Sequence, residues 1–138
     1  MANFSFHTPV MELNMKLLQS PEGNHLIIIA RGPIGVEALE QILRRAAETT
    51  QPLLNCKVLI DFEAANVRLK ASDVPALVDG FGIDAWSHDI KIALVSPPEI
   101  DKSVQLGVLS DLLCCQGLRV ALFDNARGAV NWLLVNGI

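Results

Sequence analysis

Along this chain the apolar pattern switches repeatedly between strand-like runs and helix-like stripes. LNMKLLQ at residues 13–19 fits a strand, and Ser20-Pro21-Glu22-Gly23-Asn24 behind it is a strong turn signal. HLIIIARG at 25–32 is a β-branched run suited to a buried strand, so the two segments predict a hairpin. Over 36–49 the period changes. Val36, Leu39, Ile42, Leu43 and Ala46 fall on one helical stripe, while Glu37, Glu40, Arg44 and Arg45 face away. Pro52 stops this helix by restricting the residue before it.

KVLIDF at 57–62 is the third strand. A second helix is predicted from Ser72 as N-cap, with Asp73 in its first turn and Pro75 where proline is still tolerated. Val74, Leu77, Val78 and Phe81 form its inward stripe, and Gly80 and Gly82 end or loosen it. IKIALV at 90–95 is another apolar strand, closed by Ser96-Pro97-Pro98. Asp101 is the expected cap of a third helix, with Val104, Val108, Leu109, Leu112 and Cys115 on one broad face and Gly117 as the left-handed residue after it. RVALF at 119–123 makes the last strand. Asp124 or Asn125 caps a final helix that buries Val130, Leu133 and Leu134 and ends at Gly137.

The order is β-β-α-β-α-β-α-β-α. It predicts an α/β fold with a mostly parallel five-stranded sheet, an antiparallel edge strand and four helices. Residues 1–12 read as a lead-in and 13–138 as a single domain, which suits a chain of 138 residues.

Composition narrows the function classes. Hydrophobic residues make up 51% and charged residues 19%, so a filled interior is expected rather than disorder. A mean hydropathy of +0.36 leaves apolar surface for an oligomer contact or a greasy ligand. The net charge of −4, the lack of any basic run and the scarcity of aromatics (two Trp, five Phe, no Tyr) exclude the footprint of a nucleic-acid binder. Cys56, Cys114 and Cys115 are odd in number and lie in apolar segments, and the first residues lack a signal-peptide pattern. Reduced thiols in a cytoplasm are the expectation. The greasiest stretch, 104–123, is broken by Asp111, Gln116, Gly117 and Arg119, short of the roughly 18 unbroken apolar residues of a membrane span.

The hairpin, the helix after Ile34-Gly35, the strand ending in Asp61-Phe62 and the terminal Ala129-Val130-Asn131-Trp132-Leu133 together resemble a STAS domain. More closely, they resemble the SpoIIAA-like proteins, relatives of the anti-sigma-factor antagonists. The resemblance spans residues 13–137. In the antagonists an LDLS-type third strand leads to D-S-S-G, which carries the phosphorylated serine. In register those positions hold Leu69, Lys70, Ala71 and Ser72, so Ser72 stands where the glycine would be. Ser72-Asp73-Val74-Pro75 fits better the helix cap of the SpoIIAA-like proteins. Their similarity to CRAL-TRIO lipid-transfer domains implies a small, non-enzymatic bacterial binding protein carrying a nonpolar ligand, with transient, peripheral membrane association and no cofactor. The alternative is a STAS-type regulatory protein–protein interaction module without the phosphorylatable serine.

Candidate chemistry is sparse. Asp61 ends a central strand, where ligands gather, but such an aspartate more often holds a loop amide. Ser72 as a phosphosite is weighed against simple helix capping, and capping is favoured. Cys114-Cys115 are expected to pack as small hydrophobes. His7, His25 and His88 lack metal-site spacing, and no G-x-S-x-G elbow is present. Gly32-Pro33-Ile34-Gly35 lacks the Walker spacing and lysine and reads as a turn. The third helix carries apolar residues around most of its circumference, so it needs cover on a second side. A homodimer partner ranks first, ahead of a neighbouring helix, a ligand or a membrane. For the carrier reading, Val78, Phe81, Trp86, Leu109 and Leu113 are expected to line an apolar cleft between helices two and three.

Overall fold

The computed structural model describes residues 10–81, 85–86 and 89–135. β1 (Glu12–Ser20) and β2 (Gly23–Ile34) form the expected antiparallel hairpin, in register from Glu12 opposite Arg31 to Ser20 opposite Gly23. β2 runs through Gly32-Pro33-Ile34, so this segment is strand and not the turn its glycines suggested. Gly32 adopts φ +85°, and a Cβ there would stand 2.9 Å from the Val10 carbonyl oxygen. The close approach of the chain entering β1 therefore demands glycine.

α1 (Val36–Thr50) follows, burying Leu39, Ile42, Leu43, Ala46 and Ala47. β3 (Cys56–Asp61), β5 (Lys91–Val95) and β6 (Arg119–Phe123) extend the sheet in parallel with β2, in the order β1-β2-β3-β5-β6. A sixth strand, β4 (Ala65–Val67), is an addition that the pattern did not show. Three residues are too short to display a period. Asp61 creates it: its Oδ1 accepts from the Glu63 amide at 2.8 Å, and Ala65 N–H donates to the Phe62 carbonyl at 2.9 Å. One residue is thereby looped out, and the chain rejoins β2 opposite Gly32-Pro33-Ile34.

Three further helices, α2 (Asp73–Asp79), α3 (Ile100–Cys115) and α4 (Ala126–Leu134), complete the fold. α1, α2 and α3 cover one sheet face over Leu26, Ile28, Val58, Ile60, Ile92 and Leu94. α4 alone covers the other, setting Ala129 and Leu133 on Leu59, Ala93 and Val95. In the central strand β5 every residue is buried, the signature of a parallel strand covered on both faces.

Several local expectations are corrected. Val104 and Cys115 are exposed, Val108 and Leu112 are half-buried against the core, and the buried residues of α3 are Leu106, Leu109, Ser110 and Leu113. With apolar residues all round the helix, periodicity had no single solution. Glu99, not Asp101, is the residue before α3, and Asp101 sits in the first turn. In α4, Val130 and Leu134 are exposed, and Ala129 joins Leu133 inside. Asn125 is the cap, its Oδ1 accepting from Gly128 N–H at 2.8 Å. Gly137 lies outside the described residues. Gly117 takes φ +97° after α3, as expected.

Candidate functional site

Residues 68–72 leave β4 and enter α2 over the C-terminal end of the sheet. Arg68 N–H donates to the Ile34 carbonyl at 2.9 Å, which ties the segment to the end of β2. Ser72 is exposed, adopts helical φ and ψ, and makes no side-chain cap bond. Asp73, the first residue of α2, instead reaches back: its Oδ2 accepts from Lys70 N–H at 2.7 Å and closes the turn that enters the helix. A hydroxyl at Ser72 therefore has no structural duty here. Asp61, by contrast, is committed to the loop amide of Glu63.

Facing this segment is the start of α3. Asn66, Val67, Arg68 and Leu69 form one wall of a groove of about 300 Å³, and Asp101, Lys102 and Gln105 form the other. Gln105 Oε1 is shielded from solvent with no hydrogen-bond partner. On the same helix Ile100 is 80% exposed and Val104 50% exposed. Arg68 and Lys102 place two cations beside the groove and Asp101 one anion, so its rim is mixed in charge. The groove was not singled out in the sequence. The available signal was the polar set Asp101, Lys102 and Gln105 at the start of an otherwise apolar helix.

Val78, Phe81, Trp86, Leu109 and Leu113 are brought together, but inside the main core rather than along an open cleft. Each is less than a tenth exposed. Phe81 and Trp86 form a tilted ring pair with centroids 5.9 Å apart, and Trp86 Nε1 is buried without an acceptor among the described residues. Gln116 Nε2 donates to the Val78 carbonyl at 3.3 Å, joining the ends of α2 and α3. α2 is thus one neighbour that covers α3.

A second cluster lies at the opposite end of the sheet, on the α4 face. Lys57, Lys91 and Arg119 are successive neighbours across β3, β5 and β6. Lys91 is buried; its ammonium donates to the Trp132 and Val135 carbonyls and stands 4.4 Å from the Trp132 ring centroid. Burial, then the charges of Arg119 and Lys57, push this ammonium below the usual lysine range. It holds the C-terminal end of α4 to the sheet. A lysine within the otherwise apolar IKIALV was the signal for it.

The thiols also differ from expectation. Cys56 is buried, but Cys114 and Cys115 are exposed at the end of α3, with Cys114 Sγ donating to the Val120 carbonyl at 3.1 Å. They do not pack as core hydrophobes, because the buried stripe of α3 ends at Leu113. Among the described residues no cluster of histidine, cysteine and carboxylate side chains could hold a metal ion. His7 and His88 lie outside the described residues. Among those described, no helix is long and apolar enough to cross a membrane.

No protein-family model and no curated protein matches this chain. Solved structures do. An uncharacterized protein with a SpoIIAA-like fold from Shewanella loihica is 16% identical, covering 95% of this chain and 99% of that one with a TM-score of 0.52. The anti-sigma factor antagonist SpoIIAA in its unphosphorylated form is 19% identical over 91% of this chain and 100% of that one, with a TM-score of 0.46. An anti-sigma factor antagonist from Mycobacterium paratuberculosis is 15% identical over 88% of this chain and 94% of that one, also at 0.46. The fold of this chain is SpoIIAA-like: four helices on a mostly parallel sheet opened by an antiparallel hairpin.

Proposed function

We propose that this chain is a non-enzymatic protein-interaction module of the STAS regulatory type. Its docking face is the groove between residues 66–69 and the start of α3. One observation carries the reading: an open groove rimmed by Arg68, Asp101 and Lys102 lies between these segments, whereas the residues expected to hold an interior ligand are closed into the core. Regulation then acts through surface recognition, without phosphorylation of a serine in register.

The test begins with affinity capture from the source cell, followed by binding measurements with the purified partner. A hydrogen bond to a charged group contributes about 1.5–3 kcal/mol. Arg68→Glu with Lys102→Glu is therefore expected to weaken binding at least about tenfold. A partner held equally well by this double variant would remove the groove from the proposal.

One observation favours a second reading, the carrier of a small nonpolar ligand with peripheral membrane contact. The buried, unpartnered Trp86 Nε1 beside Phe81 offers a donor to a ligand's polar end. Val78, Phe81, Trp86, Leu109 and Leu113 would surround it once α2 and α3 part. Native mass spectrometry of the protein purified from its host, with lipid extraction, should then show a bound apolar molecule, and an empty protein would end this reading.

A further inference from the structure

We infer that two copies of this chain associate through the outer edge of β1, joining their sheets antiparallel about a twofold axis at Asn14. β1 is an edge strand of nine residues, and among the described residues no strand pairs with its outer side. Such an edge presents a row of backbone donors and acceptors that only another strand satisfies completely. Val10 and Met11 pass close to Gly32 just before β1 begins.

The side chains of this edge are complementary to themselves. Glu12, Asn14, Lys16 and Leu18 alternate on the sheet face that α4 partly covers, because their neighbours in register on β2 are Arg31, Ile29, Ile27 and His25. Leu13, Met15 and Leu17 face the main core side. Pairing β1 with a second copy about Asn14 sets Glu12 opposite Lys16 twice and Leu13 opposite Met15. All of these pairs keep like faces together, as an antiparallel ladder requires. Moving the axis to Met15 breaks the ion pairs, and moving it to Lys16 brings two lysines together.

Each charge is also in a position to be answered. Lys16 stands opposite Ile27 within its own hairpin and makes no ion pair among the described residues. In the dimer Glu12 lies between its own Arg31 and Lys16 of the second copy. Leu17 and Leu18, exposed in the single chain, stand beside the joined segment.

The experiment is a charge exchange followed by sedimentation equilibrium on the full chain. The wild-type protein is expected to be dimeric. Glu12→Lys and Lys16→Glu, each alone, turn both ion pairs into like-charge pairs and should weaken self-association by about tenfold or more. Mixing the two variants restores complementarity and should yield a heterodimer. A monomeric wild type would overturn the inference, as would dimers that persist in both single variants. Variants that stay monomeric when mixed would do the same, since they would then be merely damaged.

Discussion

Replacing Lys91 by methionine isolates what holds α4 against the sheet. Methionine keeps the apolar stem and most of the volume but removes the ammonium that bridges the Trp132 and Val135 carbonyls and lies over the Trp132 ring. Val135 is exposed, so water can take over these carbonyls, and the loss is about 1 kcal/mol for each hydrogen bond instead of the larger cost of an orphaned buried group. The cation–ring contact adds about 1 kcal/mol. Relief of repulsion from Lys57 and Arg119 returns on the order of 1 kcal/mol. The net is a destabilisation of about 2 kcal/mol, a fall in melting temperature of roughly 5–8 °C. Alkaline pH provides an independent arm. The folded ammonium titrates below the 10.5 of the unfolded chain. Between those two values the unfolded chain holds the proton that the folded one has lost, so stability rises with pH across that window; below it the contribution is constant. Guanidinium unfolding of wild type and Lys91→Met across alkaline pH should show this rise only in the wild type. A variant as stable as wild type at neutral pH, or one that keeps the same alkaline rise, would refute the reasoning.

Other expectations can be checked with single variants. Ser72→Ala should change stability by less than about 0.5 kcal/mol, whereas Asp73→Ala should cost about 1 kcal/mol, because Asp73 and not Ser72 closes the turn into α2; chemical denaturation of both variants decides it. Gly32→Ala should cost about 1–3 kcal/mol in the same assay, since the residue combines positive φ with a backbone oxygen 2.9 Å from the new Cβ. In a thiol-reactive dye titration, Cys114 and Cys115 should label in the native protein and Cys56 only on unfolding; rapid labelling of all three would contradict the burial of Cys56.

Much of the fold was legible because its elements solve the burial problem in only one way. β5 reads as a continuous apolar run since both of its faces are covered, and α1 reads as a helix since one clean stripe faces the sheet. α3 was legible as a helix but not in its orientation: apolar side chains at Val104 and Cys115 compete on paper with Leu106, Leu109 and Leu113. The candidate groove was less legible still. It joins residues 66–69 to Asp101, Lys102 and Gln105, more than thirty positions along the chain, through a strand too short to announce itself.

Sequence alone therefore determined the order of elements, the hairpin and the mostly parallel sheet. These follow from local period, turn chemistry and spacing, which act over a few residues. Tertiary structure alone decided which side of α3 is buried, that Ser72 makes no side-chain cap bond, that Lys91 anchors α4, and that Ile100 is exposed. Each of these depends on what packs opposite, and contacts between distant segments leave no period in the chain.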